Sequence, residues 1–136
     1  MGVVHRRTED GKSWRWDGVE VEGYTGSQAT KQVLVGAQDG AANFVIRYFT
    51  IPARSFSHLD YHEHDHGVVV ISGHARVMLG DKFEEIGAGD VVYIPGWERH
   101  QFENLGDDPL TFLCVIPPKT PQPDVSAMPT VAKTET

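Results

Sequence analysis

The stretch H-L-D-Y-H-E-H-D-H-G-V-V-V-I-S-G, His58–Gly73, puts four of the chain's seven histidines within nine residues. These are His58, His62, His64 and His66, with Asp60 two residues before His62. Val68, Val69, Val70 and Ile71 follow, a β-branched run that reads as a buried strand. Imidazoles beside rigid strands suit a divalent metal, because the strand fixes where the ring nitrogens converge. Along an extended segment residues i and i+2 share a face, so Asp60, His62, His64 and His66 align if the chain stays straight. Glu63-His64-Asp65 is polar enough to bend the chain before the strand. Such a bend returns His66 to the same ion as Asp60 and His62.

Working outward, turns and strands alternate on both sides of this stretch. Downstream, Ala75, Val77 and Leu79 alternate with His74, Arg76 and Met78. Gly80-Asp81 turns the chain into Lys82–Ile86, and Gly87–Asp90 turns it again into Val91–Ile94, which Pro95-Gly96 stops. Gln101–Glu103 and Leu110–Ile116 are the last strands expected. Upstream, Lys31–Val35 and Asn43–Pro52 read as strands, the second apolar on both faces. Trp14-Arg15-Trp16 and Val19–Glu22 read as short edge strands whose apolar side covers the main sheet or a partner subunit. Short strands about ten residues apart, with glycine turns between, predict an all-β sandwich or barrel.

At 136 residues the chain is expected to be one domain. The organisation expected is an arm over residues 1–30, a barrel over 31–117, and a Pro-rich flexible tail over 118–136 that holds four of the eight prolines. With 12 Lys+Arg against 19 Asp+Glu and no basic run, a nucleic-acid partner is not expected. Apolar runs fall short of the roughly 18–20 residues of a membrane span, and no signal-peptide pattern is read at the N-terminus. Cys114 is the single cysteine, so no internal disulfide forms; a reducing, cytoplasmic compartment is expected. Within its apolar strand Cys114 reads as core filler. Open strand edges and the Trp14/Trp16 segment lead us to expect a homodimer.

His100 lies past the Gly89–Gly96 segment and arrives from a separate strand, adding a ligand that ties two parts of the barrel together. Three imidazoles and one carboxylate suit Mn, Fe, Ni, Cu or Zn rather than Ca or Mg. The competing reading is a surface cluster of histidines without a metal. His64, or a water, can take the place of Asp60. His58 and His74 read as supporting or solvated groups, and His5 as unrelated.

In these positions the chain resembles a small single-domain cupin, over roughly residues 40–117. The family's first motif is a pair of ligands separated by one residue, a third ligand shortly after, and a glycine beyond it. Counting back from Gly73 places the third ligand at His66, where most cupins carry Glu, and the pair at Asp60 and His62, where most carry His-x-His. The second motif, glycine, proline, histidine, then asparagine, is met by Gly89, Pro95, His100 and Asn104, with Gly96 one place earlier than the usual glycine. Asn104 reads as structural. Acid and imidazole are exchanged between two positions, so a set of three histidines and one acid is kept.

The resemblance implies a double-stranded β-helix, or jelly-roll barrel, with one divalent transition metal per chain in an apolar pocket and a small-molecule substrate. Phe44, Ile46, Tyr48, Val69, Ile71, Val77, Ile94, Phe102, Phe112 and Cys114 are candidates to line it. Arg47, Arg76 and Gln101 are candidate polar anchors, or else solvated strand residues. A metal-dependent dioxygenase, an oxidoreductase, is the activity expected first. An isomerase or decarboxylase of a small oxygenated acid or sugar comes next, then a non-enzymatic metal- or small-molecule-binding protein. A structural metal in a closed site is the further possibility.

Overall fold

The computed structural model describes residues 1–8 and 11–119. The tail expected over 118–136 therefore lies, from residue 120 on, outside the described residues. The strands are β1 (Arg7–Thr8), β2 (Arg15–Trp16), β3 (Glu22–Tyr24), β4 (Ser27–Val35), β5 (Val45–Ile51) and β6 (His66–Ser72). They continue as β7 (His74–Leu79), β8 (Lys82–Gly87), β9 (Val91–Ile94), β10 (His100–Asn104) and β11 (Leu110–Ile116). A 3₁₀ turn at Ala37–Asp39 ends on Gly40 in the left-handed region. The all-β expectation holds, and β9 and β11 have the limits read from the sequence.

The strands form a six-stranded sheet ordered β3-β4-β5-β11-β6-β9, a three-stranded sheet β10-β7-β8, and the β1-β2 ribbon. Neighbouring strands within them pair antiparallel among the described residues. The two larger sheets enclose one core, in which Val68, Val70, Ile94, Leu110 and Phe112 of one meet Ala75, Val77, Ile86 and Phe102 of the other. Each such side chain contributes on the order of 1.5–3 kcal/mol by leaving water. Among the described residues the sheets are not closed into a continuous barrel; β3, β9 and β8 remain as edges, while residues 55–60 bridge to the free side of β10.

Strand β5 decides which groups face inward. Phe49 and Ile51 pack in the core, and Arg47 stands directly opposite Cys114 of β11. Residues 47, 49 and 51 therefore point inward, and Ile46, Tyr48 and Thr50 point out. On the outer face Trp14 stacks on Tyr48 at 6.0 Å and Trp16 meets it edge-on at 4.9 Å. The Ser13 and Thr50 hydroxyls lie 2.8 Å apart. The tryptophan segment thus covers its own sheet, one of the two placements read from the sequence. Val19–Glu22 does not form one strand: Asp17-Gly18 turns, with Gly18 at φ 75°, and the Val19 amide bonds the Trp16 carbonyl at 3.2 Å. Pairing resumes only at Glu22.

Two residues close the loops around the core. Asn104, 1% exposed, donates to the carbonyls of Ile51, Pro52 and Asp108 and accepts from the Gly106 amide. It is structural, as read from the sequence. Gly73, at φ 98°, presses against the Leu110 Cα, where a Cβ would come within 2.8 Å.

Candidate metal centre

The bend expected at Glu63-His64 is present. It is pinned from outside: the Trp97 amide bonds the His62 carbonyl at 2.7 Å. Gly96 packs so closely on the Glu63 carbonyl that any Cβ would overlap it. A second clamp joins the segments, because Asp60 and His100 exchange backbone hydrogen bonds of 2.9 and 3.1 Å. His66 enters from the first residue of β6 and His100 from the first of β10. His62 comes from the loop between β5 and β6.

The three imidazoles converge. Ligand nitrogens of His62, His66 and His100 all lie within 4.8 Å of one another, and all three residues are buried. His62 and His66 stack at 4.5 Å, and His100 meets them edge-on at 5.0 and 4.9 Å. His100 Nδ1 sits 2.8 Å from the Glu98 carbonyl, so the proton belongs on Nδ1 and Nε2 carries the lone pair. That Nε2 is buried without a hydrogen-bond partner. His62 Nδ1 lies 3.3 Å from the His64 carbonyl, and His66 Nδ1 lies 3.2 Å from Cys114 Sγ. The Nε2 atoms of His62 and His66 are 3.1 Å apart. Two nitrogens each about 2.0–2.1 Å from a shared ion, at right angles, lie at about this separation.

One proton can bridge His62 and His66, but among the described residues no donor reaches His100 Nε2. A buried, unpaired lone pair aimed at two other imidazoles fits a cation. Burial lowers the His66 pKa from 6.5 to about 2, with further lowering from the neighbouring His100, His62 and Arg47. Burial also lowers that of His100. Both rings are therefore neutral and ready to ligate at neutral pH.

The remaining candidates are placed as follows. Asp60, opposite His100 on the bridge, lies outside the group of three. Its charge nevertheless acts on His100, Cys114 and Tyr24. His64 also lies outside the group, its ring stacked on His62 at 4.0 Å and on His66 at 4.9 Å. His58 bonds the Thr25 carbonyl at 2.7 Å, exposed His74 lies 3.3 Å from Glu85, and His5 bonds Asp39 at 2.7 Å. Of the expected anchors, Arg76 pairs with Glu103 and Gln101 bonds the Ser57 carbonyl. Arg47 alone of the three turns inward.

Phe44 and Val69 are exposed, and Ile46 and Tyr48 face outward, so they do not line the interior. Val77, Ile94, Phe102, Phe112 and Cys114 do. Phe49, stacked on Phe112 at 5.2 Å, belongs with them. Cys114 is more than filler. Its sulfur receives Arg47 Nη2 at 3.1 Å and meets His66 Nδ1, while burial raises its thiol pKa against the lowering effect of Arg47. The signal for this pair is cross-strand register, which neither segment shows by itself.

The family model for the cupin domain matches residues 47–116. The chain is a cupin. Its curated relatives include 1-methylthio-D-xylulose 5-phosphate methylsulfurylase of Rhodospirillum rubrum, 34% identical over 82% of this chain and 74% of that protein. Among solved structures, a cupin 2 conserved barrel domain protein from Rhodopseudomonas palustris superposes with TM-score 0.74 at 30% identity, covering 88% of this cupin and 84% of that chain. A polyketide cyclase from Streptomyces resistomycificus superposes with TM-score 0.69 at 27% identity, covering 85% and 82%. Together they establish the cupin jelly roll. No helix among the described residues is long and apolar enough to cross a membrane.

Proposed function

We propose that this cupin is a metal-dependent enzyme acting on a small oxygenated organic molecule. His62, His66 and His100 are its imidazole ligands for one divalent transition metal per chain. Asp60 is the acidic group that joins them, with His64 as the alternative. The observation that carries this reading is the partnerless, buried Nε2 of His100 within reach of two further imidazoles. An imidazole-rich donor set favours Mn, Fe, Ni, Cu or Zn over Ca and Mg. Bound there, such a metal supplies Lewis acidity toward a carbonyl or hydroxyl oxygen. The chain's own groups do the rest. The Glu98 and His64 carbonyls orient two rings, and Phe49, Phe102 and Phe112 exclude water.

Among reaction classes, rearrangement, elimination or decarboxylation of a small acid or sugar derivative is favoured over the dioxygenase expected from the sequence. The methylsulfurylase at 34% identity is named for a sugar phosphate and sulfur chemistry, and a thiol stands 3.2 Å from a ligand ring. Activation of O₂ beside that sulfur would expose it to oxidation. The deciding experiment follows O₂ in an electrode while the metal-loaded protein is screened with small hydroxy- and oxo-acids, β-dicarbonyls and sugar phosphates. Turnover without O₂ uptake supports the favoured class; uptake stoichiometric with product restores the dioxygenase.

A homodimer remains part of the proposal, now through the open edge of β9, where Val91 and Tyr93 are exposed. A monomeric mass by light scattering contradicts it.

A further inference from the structure

We infer that Arg47 is the specificity residue that seats an oxyanion of the substrate, a carboxylate or phosphate group, beside the three-imidazole centre. The inference rests on the enzymatic reading above and adds the chemical class of the ligand.

Arg47 sits in the middle of the six-stranded sheet, opposite Val33 of β4 on one side and Cys114 of β11 on the other. Its guanidinium lies over the Phe49 ring at 4.8 Å, donates through Nη2 to Cys114 Sγ at 3.1 Å, and keeps a buried Nε with no partner. Among the described residues no carboxylate pairs with it, whereas Arg54 and Arg76 both have acidic partners. A guanidinium carries five N–H donors in a planar fork matched to two oxygens of one anion. Here the fork spends a donor on sulfur, a weak acceptor, and leaves Nε unused.

Charge balance points the same way. Imidazole ligands bring no negative charge to a divalent ion, and Arg47 adds another positive charge. Asp60 supplies one negative charge. Positive charge held partly away from water without a counter-ion is unfavourable, so Arg47 and the centre together call for an anion. Position makes the anion part of a substrate. Cys114 Sγ meets both Arg47 Nη2 and His66 Nδ1, so a single sulfur separates the fork from a ligand ring. A small molecule whose hydroxyl or carbonyl oxygen faces the imidazoles can place its oxyanion on Arg47, a bidentate, charge-assisted contact.

The test uses Mn-loaded full-length protein and two probes, oxalate for a carboxylate and dihydroxyacetone phosphate for a phosphate. Their dissociation constants are measured by calorimetry for the native chain, Arg47→Met and Arg47→Lys, with Mn content determined on each sample. Expected is saturable binding of at least one probe, weakened about tenfold or more in Arg47→Met at unchanged Mn content and partly restored in Arg47→Lys. The probe affected identifies the group. A thermal melt reports whether Arg47→Met is folded; should it not fold, Arg47→Lys and Arg47→Gln carry the comparison. Equal affinities across the variants, or no binding of either probe to Mn-loaded native protein, overturn the role of Arg47 while leaving the metal centre standing. Failure of the native chain to take up Mn or any of the other metals overturns both.

Discussion

The backbones of Asp60 and His100 are joined by two hydrogen bonds, 2.9 and 3.1 Å long, that bring the two histidine-bearing segments of the chain to one point. In such a pair the two side chains leave the ladder on the same side. Asp60 therefore faces the interior that His100 faces, although its carboxylate is outside the group of three imidazoles.

From this follows a comparison of two variants. Asp60→Asn keeps the backbone bridge and removes the charge, and metal affinity is expected to fall about tenfold, the usual effect of losing a supporting or peripheral ligand. His64→Ala is expected to change it less. Metal titration of both variants decides between them; a larger loss in His64→Ala transfers the role of Asp60 to His64.

Gly96→Ala tests how the bend is held. Its Cβ would overlap the Glu63 carbonyl, next to the Trp97 amide bond to His62. The loop must move, taking His62 with it. A stability loss of about 2 kcal/mol and weaker metal binding are expected, by urea unfolding and titration. A variant with native stability and native affinity would show that the loop is not clamped there.

Much of this geometry was legible in the sequence. Strands β9 and β11 are short apolar runs between strong turn signals, and His62, His66 and His100 stand out by residue type and spacing. Strand β5 was not legible in the same way. With Phe44, Ile46 and Tyr48 on one phase and Val45, Phe49 and Ile51 on the other, alternation does not say which face is inner. Register against β11 decides it, and register is a long-range property. Arg47 and Cys114 were obscured for that reason: each looks ordinary until the two are set opposite one another. For the N-terminal segment the sequence left two placements open, the main sheet or a partner, and the packing of Trp14 and Trp16 on Tyr48 shows the first.

The buried imidazoles make the metal-free protein acid-sensitive. His66 is depressed from 6.5 to about 2 by burial and its neighbours, and His100 is shifted the same way. Below pH 6.5 the unfolded chain binds protons that the native chain refuses, so stability falls as pH falls. The slope is about 1.4 kcal/mol per pH unit for each imidazole kept neutral. Urea unfolding of metal-free protein from pH 7 to 5 should show this decline, reduced in His66→Gln. A flat profile in the native chain would mean the rings are not shielded from protonation.

His100 supplies the sharpest test, because its Nε2 is the buried atom left without a partner. Elemental analysis of the protein as isolated and after metal titration, beside His100→Ala and His5→Ala, measures whether that atom holds an ion. One transition-metal ion per chain is expected in the native protein and in His5→Ala, with most of it lost in His100→Ala. A native protein that carries no metal and takes up none on titration contradicts the three-imidazole centre.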